Sequence, residues 1–334
     1  MEPVVNVRQV KNYNVSQIKK ALRSIPCGTK NAIAGLTGLS IATCNTILND
    51  LEASGEILAV EPAASGIGRP AAMYRFNESY ACICCVFPTM EEGVKRICYA
   101  VADLRGQVLL KGAPVYERVT AQELGALIRG LMKQEEKIRA VSLGIPGYYA
   151  DGRVESCGIE ELNGHDIKTE LEEETDCRIL VENDANAMAY GMCHMEEGPY
   201  EHYRKLVLVS CFKGRGTGAG IIFDGNIYHG HTNFAGETDW LNYGETELGE
   251  LLAEGMSGVV RALEVIIENL TSILNPEAIF FVGSRVTTEL LGMAEQAAQM
   301  RIGKRHLPGL IYIKEWEKYY VRGLCEIAME AYFL

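Results

Sequence analysis

The sequence predicts an α/β protein in two parts: a winged helix-turn-helix over residues 1–78, then a split, two-lobed α/β domain over residues 79–334. Three observations carry that expectation. The chain has a formal charge of −12, yet residues 1–80 hold eight Lys and Arg against six Asp and Glu, which leaves +2 there and −14 beyond. The hydrophobic period changes from helical to strand-like near Tyr80. Beyond that point, two similar sets of strands each open with a hairpin and end in α/β units, the pattern of two lobes facing a cleft.

Apolar residues make up 48% and charged residues 23% of the chain, which is the balance of a folded globular protein and excludes a disordered one. Net acidity excludes a protein that coats nucleic acid by bulk charge. The N-terminus lacks a signal-peptide core and no later run approaches the ~18–20 apolar residues of a membrane span. A cytoplasmic location without a membrane partner is therefore expected. The eleven cysteines are odd in number, scattered, and set in apolar runs such as Cys82-Ile83-Cys84-Cys85-Val86, which reads as reduced core thiols.

In the first unit Val15, Ile18, Leu22 and Ile25 recur at helical spacing, and a second short helix runs from about Lys30 to Leu36. Gly38 can take the positive φ of a sharp turn. Ser40 is placed as N-cap of a third helix in which Cys44, Ile47, Leu48 and Leu51 form the buried stripe. The opposite face carries Thr43, Asn45, Thr46 and Asn49, small polar side chains suited to base edges and phosphates in a major groove. Glu56–Val60 and Ala71–Phe76 read as strands around a glycine-rich loop whose Arg69 could enter a minor groove. The helix pattern alone also fits a small protein-interaction domain; the wing and its arginine favour DNA. Asp50 and Glu52 must then point away from phosphates.

The second part splits into lobes over 79–195 and 205–334, with the C-terminal helix a candidate to return to the first. Strands are expected at Ala81–Phe87, Arg96–Ala102, Gly106–Leu110, Ala140–Gly144 and Ile179–Val181, with helices at about Ala121–Gln134 and Ile167–Glu174. The second set begins at Leu206–Cys211, continues through Gly218–Phe223 and the Asp224-Gly225 turn to Asn226–Tyr228, and ends with helices around Ala278–Val282.

Gly144-Ile-Pro146-Gly147, Asp151-Gly152, Glu182-Asn183-Asp184-Ala-Asn186, Gly216-Thr217-Gly218-Ala219-Gly220, Ala235-Gly236-Glu237 and Leu274-Asn275-Pro276 resemble, in order, the motifs of the ROK family (repressors, open reading frames and sugar kinases). Asn14, Gly38-Leu39-Ser40 and Gly68-Arg69-Pro70 are similar to the winged helix of the family's repressors. The resemblance implies an actin-like (sugar kinase, ribonuclease H-like) fold behind a DNA-binding domain. It also implies a sugar cleft containing Asn183, Asp184, Glu237, Gly147 and Asn163, and a phosphate-loop-like segment at Gly216, Thr217 and Gly218. In the family's kinases the residue at Asp184 is the base that takes the sugar hydroxyl proton, chemistry a cleft carboxylate can perform. Read without the family, Asn183 and Asp184 could equally cap the helix that follows, and the glycine cluster could be a plain hairpin turn.

Departures from the family pattern fall on the nucleotide and metal side. The first phosphate loop is replaced by Cys84–Gly93, with Pro88 lacking a donor and Glu91 and Glu92 adding negative charge. The family histidine after Glu237 becomes Trp240, for which core packing is the first expectation and stacking on a sugar the second. No cysteine lies between Cys211 and Cys325, so the usual zinc site cannot be built, and His229 and His231 read as surface or core histidines. The family's glutamate beyond the zinc cluster falls near Glu250–Glu254. No catalytic residue and no cofactor, neither zinc nor ATP, is expected. These features point to a transcriptional regulator, a repressor, that binds double-stranded operator DNA as a homodimer or tetramer and senses a sugar or sugar derivative between its lobes. A ROK sugar kinase and an effector-blind DNA-binding dimer are the alternatives.

Overall fold

The computed structural model describes residues 7–60, 72–91, 93–195 and 198–333. Its first unit holds helices α1 (Val7–Arg23), α2 (Lys30–Thr37) and α3 (Ile41–Ser54) and a small antiparallel sheet in which Met73–Phe76 pairs with both Gly28–Thr29 and Ile57–Val60. Helix α1 stops short of the expected stripe. Ile25 lies beyond its end, in the turn before Pro26, because the proline ring disfavours helical geometry in the residue ahead of it. Between α2 and α3 Gly38 has φ +69°, and the Ser40 hydroxyl accepts the Thr43 N–H at 3.1 Å. Ile18, Leu22, Ile33, Cys44, Leu48 and Ile57 are fully buried between these elements. The loop carrying Gly68, Arg69 and Pro70 lies outside the described residues.

Two sheets follow with the same plan. In the first, Cys82–Glu91 and Val94–Asp103 form an antiparallel hairpin flanked by Val108–Gly112, and Ile138–Ile145 and Arg178–Asn183 add on in parallel. In the second, Lys205–Cys211 and Thr217–Phe223 form the hairpin, flanked by Asn226–Ile227, and Ala278–Val282 and Gly309–Tyr312 add on in parallel. Numbered along the chain within each lobe, both sheets have the strand order 3-2-1-4-5. That repeated hairpin-plus-crossover plan is the actin-like fold. The Asp224-Gly225 turn has φ +50° and +79° at its two central positions, the left-handed pair a two-residue hairpin needs.

One face of the first sheet is covered by α4 (Ala121–Gln134) and α5 (Ile167–Thr175), and one face of the second by α7 (Leu248–Ala253), α8 (Met256–Leu274) and α9 (Thr288–Ile302). The remaining faces share a third core with α6 (Asp184–Cys193) and α10 (Glu317–Phe333), and this core continues without a break into the first unit through Phe76, Ile57 and Leu22. α10 therefore returns across the first lobe, packing on α6 and on strands Ile138–Ile145 and Cys82–Glu91. At its far end it meets α1. Arg23 donates to both oxygens of buried Glu326 at 2.7 and 2.6 Å, and the Phe76 and Phe333 rings meet edge-on with centroids 5.7 Å apart. All eleven cysteines are free thiols. Among the described residues no single helix is long and apolar enough to cross a bilayer.

Candidate functional site

Two backbone approaches shape the cleft. A side chain at Gly220 would strike the Ala185 carbonyl, and one at Gly236, which has φ +94°, would strike the Ala219 carbonyl. Glycine at both places lets the start of α6 and the Glu237 loop close on strand Thr217–Phe223. Between the lobes they enclose a cavity of about 610 Å³ whose lining includes Asn183, Asp184, Gly147, Glu237 and Gly216–Gly218. The structure thus brings these motif residues together. Asn163 is elsewhere: its amide brackets Cys157, accepting from Cys157 N at 2.9 Å and donating to Cys157 O at 3.1 Å, so it holds the cavity wall without lining it.

Asn183 is both cap and brace. Its Oδ1 accepts the Asn186 N–H at 3.0 Å, and its Nδ2 donates to the Gly147 carbonyl at 2.9 Å. Asp184 is 7% exposed; Oδ1 accepts the Ala185 N–H at 2.7 Å and Oδ2 lies 3.6 Å from the Arg215 guanidinium. Burial pushes its carboxyl above the usual range while Arg215 pulls the other way. The Glu237 carboxyl group has no hydrogen-bond or ion-pair partner among the described residues, its backbone bonding to Phe234 and Trp240. Burial, reinforced by Asp184 and Asp239, raises it to about 7. Thr217 donates both its N–H and its hydroxyl to Asp239 Oδ1, each at 2.7 Å.

The expectation of core packing for Trp240 is corrected. The indole is 67% exposed and lines the cavity mouth. The chain turns outward after buried Thr238, whose hydroxyl is tied to Thr217 at 2.9 Å. Phe234 lies 6.1 Å from Trp240 and 5.7 Å from Tyr148, centroid to centroid, so aromatic surface from both lobes flanks the opening. His229 pairs with Glu182 across the lobes at 2.9 Å, which raises the imidazole above its ordinary value, while His231 is exposed. Residues 84–91 are the end of a continuous strand and, with Gly93, line none of this cavity, while Glu92 lies outside the described residues. Glu247, rather than Glu250 or Glu254, reaches the lining.

Among the described residues no group of three His, Cys, Asp or Glu is placed to hold a metal. Beside the cleft, Leu248, Leu251 and Leu252 are buried and Arg285 donates to the Leu252 carbonyl at 2.8 Å.

On the first unit, Thr46 and Asn49 are exposed along α3 and Thr43 and Asn45 are half-buried beside them. Lys30, not singled out by the sequence, joins them: its ammonium donates to the Asn45 side chain, lies 3.5 Å from Asn49 Oδ1, and sits over the Tyr74 ring. Asp50 is exposed and paired with Lys11 at 3.3 Å. Arg215 and Asp239 were likewise missed as site residues, and the signal for both was their position against the Gly-Thr-Gly run and Glu237.

A profile of the ROK family matches residues 89–244, the stretch that supplies Asp184, the Gly-Thr-Gly strand and Glu237. Residues 89–244 therefore resemble the ROK family. Its described fold is similar over 97% of its length to the crystal structure of a ROK family transcriptional regulator, a homolog of E. coli MLC protein, with 98% of that chain covered, TM-score 0.74 and 16% identity. A ROK hexokinase from Thermus thermophilus covers 74% of the chain and is itself 97% covered, with TM-score 0.59 and 16% identity. Among curated relatives, the xylose repressor of Bacillus subtilis (strain 168) is 23% identical over 66% of this chain and 57% of its own length. A glucokinase of Halalkalibacterium halodurans is 32% identical over 35% of each. The chain spans between about a third and three fifths of the length of these curated relatives.

Proposed function

We propose that this protein is a ligand-controlled transcriptional repressor that binds operator DNA as a homodimer or tetramer and uses neither ATP nor zinc. The observation that carries the reading is the joining of a winged helix-turn-helix, with Thr46 and Asn49 exposed on α3, to a two-lobed cleft through one continuous core. A sugar or sugar derivative in the cleft, held by Asn183, Asp184 and Glu237, changes the angle between lobes. α10 packs on α6 at the cleft and on α1 at the reader, so it passes that change to the paired α3 helices. A ligand does this only by the difference in its affinity for the two arrangements. The likeness to a transcriptional regulator over the whole chain, and the xylose repressors among its relatives, support this reading.

Operator binding followed by fluorescence anisotropy, with and without a panel of sugars, tests it. Sequence-specific binding released by one sugar is the expected result; no specific binding to any fragment flanking its own gene refutes it. The sugar-kinase alternative rests on the cleft position of Asp184, and on glucokinase and N-acetyl-D-glucosamine kinase relatives. Turnover of any hexose above ~1 s⁻¹, the lower end typical of enzymes, would favour it.

A further inference from the structure

The phosphate loop of the second lobe is already filled by the protein itself. Asp239 lies against Gly216 so closely that a side chain there would meet its Oδ2, and one of its oxygens takes both donors of Thr217. A bound phosphate would need that same N–H, and a donor already committed to a carboxylate cannot serve a second anion without losing the first. The cationic donor in the lining, Arg215, faces Asp184 and stacks on the Phe212 ring at 4.4 Å. Around it the lining carries four carboxylates, Asp184, Glu237, Asp239 and Glu247, against that single guanidinium. An incoming phosphate would meet uncompensated like charge in a partly desolvated space.

We propose that Asp239 is a built-in anion that occupies the phosphate loop, so that the cleft admits an uncharged sugar and refuses phosphorylated sugars and nucleoside di- or triphosphates. This deepens the effector reading above and rests on it for the word sugar. The exclusion of phosphate does not rest on it: it stands on Asp239 and on the excess of carboxylates over Arg215 in the lining. Trp240 in the lining, with Phe234 6.1 Å away, offers an apolar face on which an uncharged ring can stack, consistent with the same ligand class.

The test is calorimetric titration of the full chain with inorganic pyrophosphate, ADP, glucose and glucose 6-phosphate, in wild type and in Asp239→Ala and Asp239→Asn. Wild type should give no saturable binding of the three phosphates. Asp239→Ala, which frees the Thr217 donors, should gain at least about tenfold in affinity for pyrophosphate, the scale of one charge-assisted hydrogen bond. Asp239→Asn, which removes the charge and keeps an acceptor, should gain less. Pyrophosphate or glucose 6-phosphate binding to wild type as tightly as to Asp239→Ala overturns the proposal, and so does the absence of any gain in a variant that retains its melting transition. If both variants unfold, the wild-type titration still decides, since phosphate binding competed by an uncharged sugar overturns the proposal directly. No DNA is present in this assay, so a failure of sugars to release the operator would strike the repressor reading while leaving the phosphate result intact.

Discussion

Glu326 is the place where the docking of the reader onto the lobes can be weighed. Its side chain is 5% exposed and its two oxygens receive Arg23 at 2.7 and 2.6 Å and Arg322 at 2.6 Å. Replacing Glu326 with Ala removes the carboxylate that takes two hydrogen bonds from Arg23, itself 16% exposed. Three charge-assisted hydrogen bonds are worth about 5–9 kcal/mol in gross terms, at ~1.5–3 kcal/mol each. Desolvating the three charges offsets much of this, and removal of one partner of a buried pair costs about 3–5 kcal/mol in practice. Arg322 keeps carbonyl partners at His194 (3.0 Å) and Arg105 (3.1 Å), so the lower end, about 3 kcal/mol, is expected. The assay is a double-mutant cycle with Arg23→Met and Glu326→Leu, read by urea unfolding and by operator binding with and without effector. The pair of replacements should recover most of what Glu326→Ala loses, and Glu326→Ala should bind operator while responding weakly to effector. A coupling energy under ~1 kcal/mol together with an undiminished effector response would refute both the energetic estimate and the route through α10.

Glu237 makes stability depend on pH in a defined direction. Its folded value is raised from 4.5 to about 7, so the folded state holds more protons between those values. Stability is lost as pH rises through that window, by about 3 kcal/mol in all, and Glu237→Gln should abolish that share. Melting temperatures of wild type and Glu237→Gln at pH 5 and pH 8 check it; equal slopes contradict it. Trp240, at the cavity mouth, should change its fluorescence when a sugar binds, and Trp240→Phe should remove the change while leaving the Trp316 signal. On the reader, Lys30→Met should weaken binding to all sequences and lower the salt slope by about one, whereas Asn49→Ala should relax preference at individual base pairs. Anisotropy titrations at several salt concentrations separate the two, and identical behaviour of both variants would remove α3 from the groove.

What the sequence made legible was local. α4 runs from Ala121 to Gln134 as expected, because Thr120 and Glu123 form a reciprocal capping box at its start. The Asp224-Gly225 turn and the Ser40 cap are readable for the same reason, since each is decided by residues within a few positions of one another. The reach of α1 to Ile25 was misjudged because periodicity counts apolar residues and does not register the veto of Pro26. The cleft was half legible: family motifs located Asn183, Asp184 and Glu237, but Arg215 and Asp239 matter only through contacts across loops. Trp240 was misplaced because a large aromatic residue carries no local sign of the direction its side chain takes. Lys30 shows the same blindness, as it reaches α3 from the start of a different helix.

The ion pair between Arg23 and Glu326 joins residues 303 positions apart. During synthesis the first unit leaves the ribosome well before the helix that receives it. Vectorial folding therefore gives a small unit able to close its own core early but docked late, after both lobes have formed. A chain cut before α10 would carry the first unit without the helix it docks on.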